Sequence, residues 1–223
     1  MTRTATKSRP APRWKRRKEA RPAEILQAAF AEFVDRGFAA ARLDDIARRA
    51  GVTKGTIFLY VANKDELFKA LVREFVVPMI EHDERTVEAH EGGARELLER
   101  TLRARWARLF ETEASGLPKL LFSEAGKFPD LARFYGEVVV ERSHAVLRRI
   151  LERGIARGEF RADLNVREAA RLAVAPILLA AVWKHSFAKC AVGTVEPEAF
   201  FETHLQLFLD GLAARGKEVR NDA

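Results

Sequence analysis

The sequence predicts an all-α fold, with a small N-terminal helical unit followed by a larger helical one. Three observations predict it. Apolar residues recur at three- and four-residue spacing along nearly the whole chain, the runs break at glycine and proline, and the alternation expected of strands is scarce. A chain of 223 residues with 48% hydrophobic and 32% charged residues has enough apolar material for a sizeable core.

The chain opens with a basic segment. Residues 1–21 hold nine Lys/Arg against Glu19 alone, a local charge of +8, so the rest of the +7 chain carries −1. Pro10, Pro12 and this charge density argue for a flexible basic arm over residues 1–20, an electrostatic footprint for nucleic acid or another anionic surface. The folded part is expected from about Pro22. Ile25, Leu26, Ala29, Phe30, Phe33 and Val34 then form a helical stripe that Gly37 ends in a left-handed conformation. Leu43, Ile46, Ala47 and Ala50 mark a short second helix with Asp44 and Asp45 in its first turn. Thr53 is placed to cap a third helix, 54–60, and Asn63 with Glu66 to form a capping box for a fourth from Lys64. Further helical segments are expected at about 64–90, 94–113, 117–126, 129–157, 165–190 and 197–214. The expected units are 21–67 and 68–216, with a tail at 217–223.

The stretch from Leu43 to Tyr60, LDDIARRAGVTKGTIFLY, has the form of a helix-turn-helix. Its tight turn needs a residue at positive φ, which Gly51 supplies; Ile46, Ala47, Val52 and Ile57 close the inside, and Thr53, Lys54, Thr56 and Leu59 remain to face a groove. Gly55 within a helix costs about 1 kcal/mol relative to alanine. Either close approach of backbone to a phosphate or a packing contact must offset it.

These residues resemble the TetR family of bacterial one-component regulators, whose signature runs approximately Ile-Ala-x-x-Ala-Gly-Val-Ser-x-Gly-Thr-Leu-Tyr-x-Tyr-Phe-x-x-Lys-x-x-Leu. Ile46, Ala47, Ala50, Gly51, Val52, Gly55, Thr56, Tyr60, Lys64 and Leu67 match directly, with Thr53 for Ser and Ile57 for Leu. The resemblance covers residues 22–68. It implies a three-helix DNA-binding domain at the N-terminus and a larger helical domain for ligand binding and dimerisation. It also implies that 53–60 enters the major groove while Arg42, Thr53, Phe58, Tyr60 and Lys64 touch phosphates. Phe58 stands where the family has a phosphate-bonding Tyr, and Arg42 where it has a capping Thr; Arg42 reaches a phosphate as a charge instead. Lys54 and Thr56 are the candidates for base edges, and Leu59 for a thymine methyl.

For the larger unit, the resemblance implies an effector pocket and a homodimer interface. Trp106, Phe110, Phe122, Phe134, Tyr135 and Trp183 are candidate pocket residues, and the absence of a charged cluster between them favours an apolar or aromatic small molecule. The helix from about 165 is apolar nearly all round, as is the last one. Packing Leu172, Pro176, Leu179 and Trp183 with Phe201, Leu205, Phe208 and Leu212 against a twin would present two recognition helices to a roughly palindromic double-stranded operator. Repression relieved by the effector is the implied default.

Other functions find no support. There is no Gly-x-Ser-x-Gly elbow, P-loop, His-Glu-x-x-His or dinucleotide fingerprint, so no enzyme and no cofactor is expected. His82, His90, His144, His185 and His204 lack ligand spacing, no metal is expected, and Glu81-His82-Asp83-Glu84 reads as a solvated face. Cys190 is the only cysteine, the longest apolar run contains Pro176, and the basic N-terminus lacks an apolar signal region, so a cytoplasmic chain without membrane contact is expected. The competing function is an architectural DNA-binding protein without sequence choice, suggested by the arm.

Overall fold

The computed structural model describes residues 13–112, 115–187 and 196–214, with backbone only for residues 13–21 and 111. Residues 1–12 of the arm, Cys190 and the expected tail lie outside the described residues. The described residues are helical without a strand, and one isolated antiparallel bridge joins Phe160 to Ala213. The chain divides into two compact units between Leu71 and Val72.

Unit 1 contains α1 (Arg13–Arg36), α2 (Leu43–Arg49), α3 (Lys54–Phe58) and most of α4 (Lys64–Phe75). The helix α1 starts well before Pro22, correcting the expectation that residues up to 20 are non-helical. Arg13–Ala20 is rich in Lys, Arg, Glu and Ala, all favourable helix formers, and the helix continues with Pro22 inside it. Gly37 then ends α1 at φ 82°, its N–H donating to the Phe33 carbonyl at 2.9 Å. The core is a ring cluster in which Phe38 lies 5.2 Å from Phe33 and 5.8 Å from Phe68, the second pair edge to face. Ile25, Ile46, Ile57, Leu67 and Leu71 are buried around it.

Unit 2 contains α5 (Val77–Ala89), α6 (Ala94–Glu111), α7 (Gly116–Glu124), α8 (Pro129–Tyr135), a π-helical segment (Gly136–Glu141), α9 (Arg142–Ala156), α10 (Val166–Ser186) and α11 (Pro197–Leu212). The helix expected over 64–90 is broken at Val76, because Pro78 has no N–H to continue the ladder and fits only the first turn of a new helix. Asn165 caps α10, accepting from the Glu168 N–H at 3.3 Å. Ala169, Ala170, Ala173, Ala180 and Ala181 make α10 thin enough for close packing, and its buried side chains join Leu97, Leu98 and Leu102 of α6 with Leu147 and Ile150 of α9 in one core.

After α9, Gly158 turns the chain at φ 71° and lays Phe160 across Gly154. The neighbouring Glu159 carboxylate accepts the Arg95 N–H at 3.0 Å at the start of α6, where Gly93 has no side chain to cap with. Backbone donation from Ala94 and Arg95 holds the Glu159 carboxyl below the usual carboxylate range, with Arg157 and Arg153 adding to it.

Candidate nucleic-acid interface and ligand cavity

The α2–α3 corner is built as the spacing requires. Gly51 sits at φ 64° and Val52 N–H donates back to the Ala47 carbonyl at 2.9 Å. Ile46, Ala47 and Ile57 are buried and Val52 partly so. Thr53 caps α3: its Oγ1 accepts the Thr56 N–H at 3.2 Å and lies 2.9 Å from Thr56 Oγ1. Behind α3, Asn63 Oδ1 accepts the Glu66 N–H at 2.9 Å and starts α4. Exposed pairs brace α1 to α2, chiefly Arg49 with Asp35 at 2.7 Å, each contributing at most about 1 kcal/mol.

What α3 presents is unusual for a protein surface. Phe58, Leu59 and Tyr60 are consecutive and exposed, Leu59 at 80%, on a unit whose core is already closed. Thr53, Lys54 and Gly55 are exposed beside them, and Arg42 is exposed at the start of α2, where its side chain makes no cap. A methyl group at Gly55 would meet only Thr53 Oγ1, at 3.8 Å, so no packing within the chain calls for glycine there. Close approach of an external group is the remaining reason for it. Lys54 donates to Asp44 at 2.9 Å, a pair exposed on both sides and therefore exchangeable.

Lys64 departs from the expected outward role. Its ammonium donates to the carbonyls of Phe38, Ala39 and Ala41 at 2.6, 3.1 and 3.1 Å and lies 4.6 Å from the centre of the Phe38 ring. In this arrangement it fixes the loop leading to Arg42, because the loop turns its carbonyls toward α4 and an ammonium has three donors to meet them.

Unit 2 contains a half-open cavity of approximately 350 Å³ among α5, α6, α7, α8, the π-helical segment, α9 and α10. Most of its wall is apolar, including Met79, Ile80, Leu117, Leu121, Val139 and Leu178. Of the expected pocket residues, Phe122 and Tyr135 line it. The others are placed elsewhere by their own packing. Trp106 is buried between Phe110 and Phe201, with ring centres 4.1 and 4.7 Å away. Trp183 lies against Phe187, and Phe134 lies under the Arg73 guanidinium. These aromatics belong to core and helix packing rather than to the cavity.

The cavity wall also carries a charged cluster, which overturns the reading of Asp83 as solvated and of the region as free of charge. Asp83 accepts from Arg108 at 2.8 and 3.0 Å and from Arg105 Nε at 3.2 Å, while Arg105 Nη2 donates to the Ser143 carbonyl at 3.2 Å. Asp83 and Arg105 are each only 7% exposed. Burial presses the Arg105 pKa down, Asp83 opposes that, and Arg108 adds to the depression. His144, also in the wall, is pushed below the usual histidine range by burial, with Glu141 opposing and Arg105, Arg171 and Arg148 reinforcing. The missed signal in the sequence is that Asp83 continues the inward stripe of Ile80 and Val87 on α5.

On the outer side of unit 2, Leu172 and Leu179 of α10 are 61% and 58% exposed, two turns apart. Pro176 and Trp183 are partly exposed along the same helix. On α11 the expected interface face is largely turned inward: Phe201 is 2% exposed, and Leu205 and Leu212 are equally enclosed in the chain's own core, leaving no area for a second copy. Leu207 and, in part, Phe208 are the apolar side chains that α11 leaves outward.

Comparison with known proteins agrees with this geometry. The family model described as bacterial regulatory proteins, tetR family, matches residues 25–71, and that for the tetracyclin repressor-like C-terminal domain matches residues 88–189. The chain belongs to the TetR family. Members of this family bind DNA operators, act as dimers and respond to small molecules. As a TetR-family member the chain is a DNA-binding transcription regulator and not an enzyme, and nothing favours the architectural alternative.

The transcriptional repressor KstR2 of Mycolicibacterium smegmatis is 27% identical over 145 residues, 64% of this chain and 69% of that protein. The repressor SCO4008 of Streptomyces coelicolor is 45% identical over 56 residues, a match that spans 25% of this chain and only 29% of the relative. Among solved structures, the fatty acid degradation regulator FadR of Bacillus halodurans superposes with a TM-score of 0.71 at 22% identity, covering 87% of this chain and 97% of that one. That likeness is one of fold. Among the described residues no helix is long and apolar enough to cross a membrane, and no group of three or more His, Cys, Asp or Glu is placed to hold a metal ion.

Proposed function

We propose that this regulator is a cytoplasmic homodimeric repressor that binds a near-palindromic operator through Arg42 and the 53–60 face and releases it when a small, largely apolar ligand fills the unit 2 cavity. The observation that carries the reading is the exposed triplet Phe58, Leu59 and Tyr60 beside the Thr53 cap, on a unit that needs none of them for its own core. Thr53, Phe58 and Tyr60 take the phosphate side, with Gly55 letting the backbone come close, while Lys54, Thr56 and Leu59 meet base edges.

Ligand coupling is supported by continuity of the chain. Val76 lines the cavity and follows directly on α4, whose earlier turns supply Leu67, Phe68 and Leu71 to the core of unit 1. A ligand that favours one position of Val76 therefore biases the helix that carries the DNA-reading unit. Repression is supported by KstR2, whose match covers 64% of this chain.

Dimerisation is tested at Leu179. Leu179→Asp places a charge in the outward apolar face of α10 without touching the core, so sedimentation is expected to give a monomer, where the unaltered protein gives twice the 25.2 kDa chain mass. Operator affinity is expected to fall at least tenfold, equivalent to about 1.4 kcal/mol, as only one half-site is held at a time. A dimeric Leu179→Asp with unchanged operator affinity would contradict this interface.

A further inference from the structure

The charged cluster in the cavity wall is unbalanced. Arg105 and Arg108 share the single carboxylate of Asp83, which leaves one positive charge in excess in a mainly apolar cavity wall. Arg105 Nη1 is buried and has no hydrogen-bond partner, although Nε and Nη2 of the same guanidinium are both used. An unpaired buried donor is costly, and an excess buried cation more so, unless a ligand completes the set. The neighbouring wall supplies further polar groups in Ser143 and Tyr135. Burial pushes the Tyr135 phenol pKa up, which keeps its hydroxyl protonated and available as a donor.

We propose that the cavity binds an amphipathic anion, with an apolar body along Met79, Leu117, Leu121 and Val139 and an anionic headgroup at the paired guanidinium groups of Arg105 and Arg108 in its wall. The headgroup is a carboxylate or a phosphate monoester, since a guanidinium pairs with either. The volume of approximately 350 Å³ lies in the range of small-molecule sites, about 300–1,000 Å³. This rests on the reading of the cavity as the effector site and gives that effector its chemical class.

The test uses the full chain and calorimetric titration with dodecanoate, dodecyl phosphate and dodecanol, each below its micelle concentration. One anion per chain is expected, at least tenfold tighter than dodecanol, and the tighter of the two anions identifies the headgroup. Arg105→Gln keeps the Asp83–Arg108 pair and is expected to bring the preference for the anion over the alcohol to less than about twofold. Dodecanol binding as tightly as the anions, no binding of either anion, or an undiminished preference in folded Arg105→Gln would each overturn the assignment. The comparison of ligands on the unaltered protein stands even if the variant fails to fold. Anion binding that leaves the operator complex intact would refute ligand-driven release while leaving the site assignment in place.

Discussion

Leu59→Glu is expected to lower operator affinity at least ~100-fold while moving the melting temperature by no more than about 2 °C. Two effects add in the same direction. The apolar contact with a thymine methyl is lost, and a carboxylate is set among phosphates on the most exposed apolar side chain of the reading face. Together they are worth about 3 kcal/mol, while the folded unit loses nothing because Leu59 is 80% exposed. Fluorescence anisotropy on a labelled operator reads the first quantity and circular dichroism the second. Unchanged affinity would place the reading face elsewhere on unit 1, and a large loss of melting temperature would make Leu59 a structural residue.

Gly154→Ala is expected to destabilise the protein by about 1–3 kcal/mol, the opposite of what helix propensity alone gives. A methyl group there would lie 2.1 and 2.3 Å from Cδ2 and Cε2 of Phe160, a ring buried in the core of unit 2. The ring would have to leave its site, and with it the turn whose Arg161 N–H donates to the Leu212 carbonyl at 2.9 Å. Gly211→Ala is the control, with no atom within 4 Å of the new methyl group and an expected change between zero and a gain of about 1 kcal/mol. Urea unfolding at fixed protein concentration separates them, since dimerisation makes apparent stability depend on concentration. Equal stability of the two variants would contradict the packing of α9 against Phe160.

The parts legible in the sequence are those fixed by local chemistry. Gly37 and Gly51 adopt the left-handed backbone that their positions at helix ends demanded, and Thr53 and Asn63 cap the helices they precede. Periodicity likewise separated α6, α7 and α10 from their neighbours. What it does not reveal is which of two apolar faces of a helix meets its own chain. On α11, Phe201, Leu205 and Leu212 pack inward while Leu207 stays outside, though all four are apolar at helical spacing. Trp106 reads equally well as cavity wall or core until its stacking partner Phe201 is known, and that partner is remote in sequence. Asp83 was hidden by its charged neighbours, because its counter-ions come from α6, two turns or more into a different helix. Lys64 matched a family position, yet its ammonium serves three carbonyls of a loop that no spacing rule places beneath it.

Sequence-specific recognition by the 53–60 face of a dimer is open to a single experiment. Selection of bound fragments from a random double-stranded DNA pool by the purified protein, at low and near-physiological salt, tests it most directly. An enriched palindrome with half-sites about one helical turn apart, retained at the higher salt, is expected. Salt-sensitive binding that enriches no sequence would contradict it.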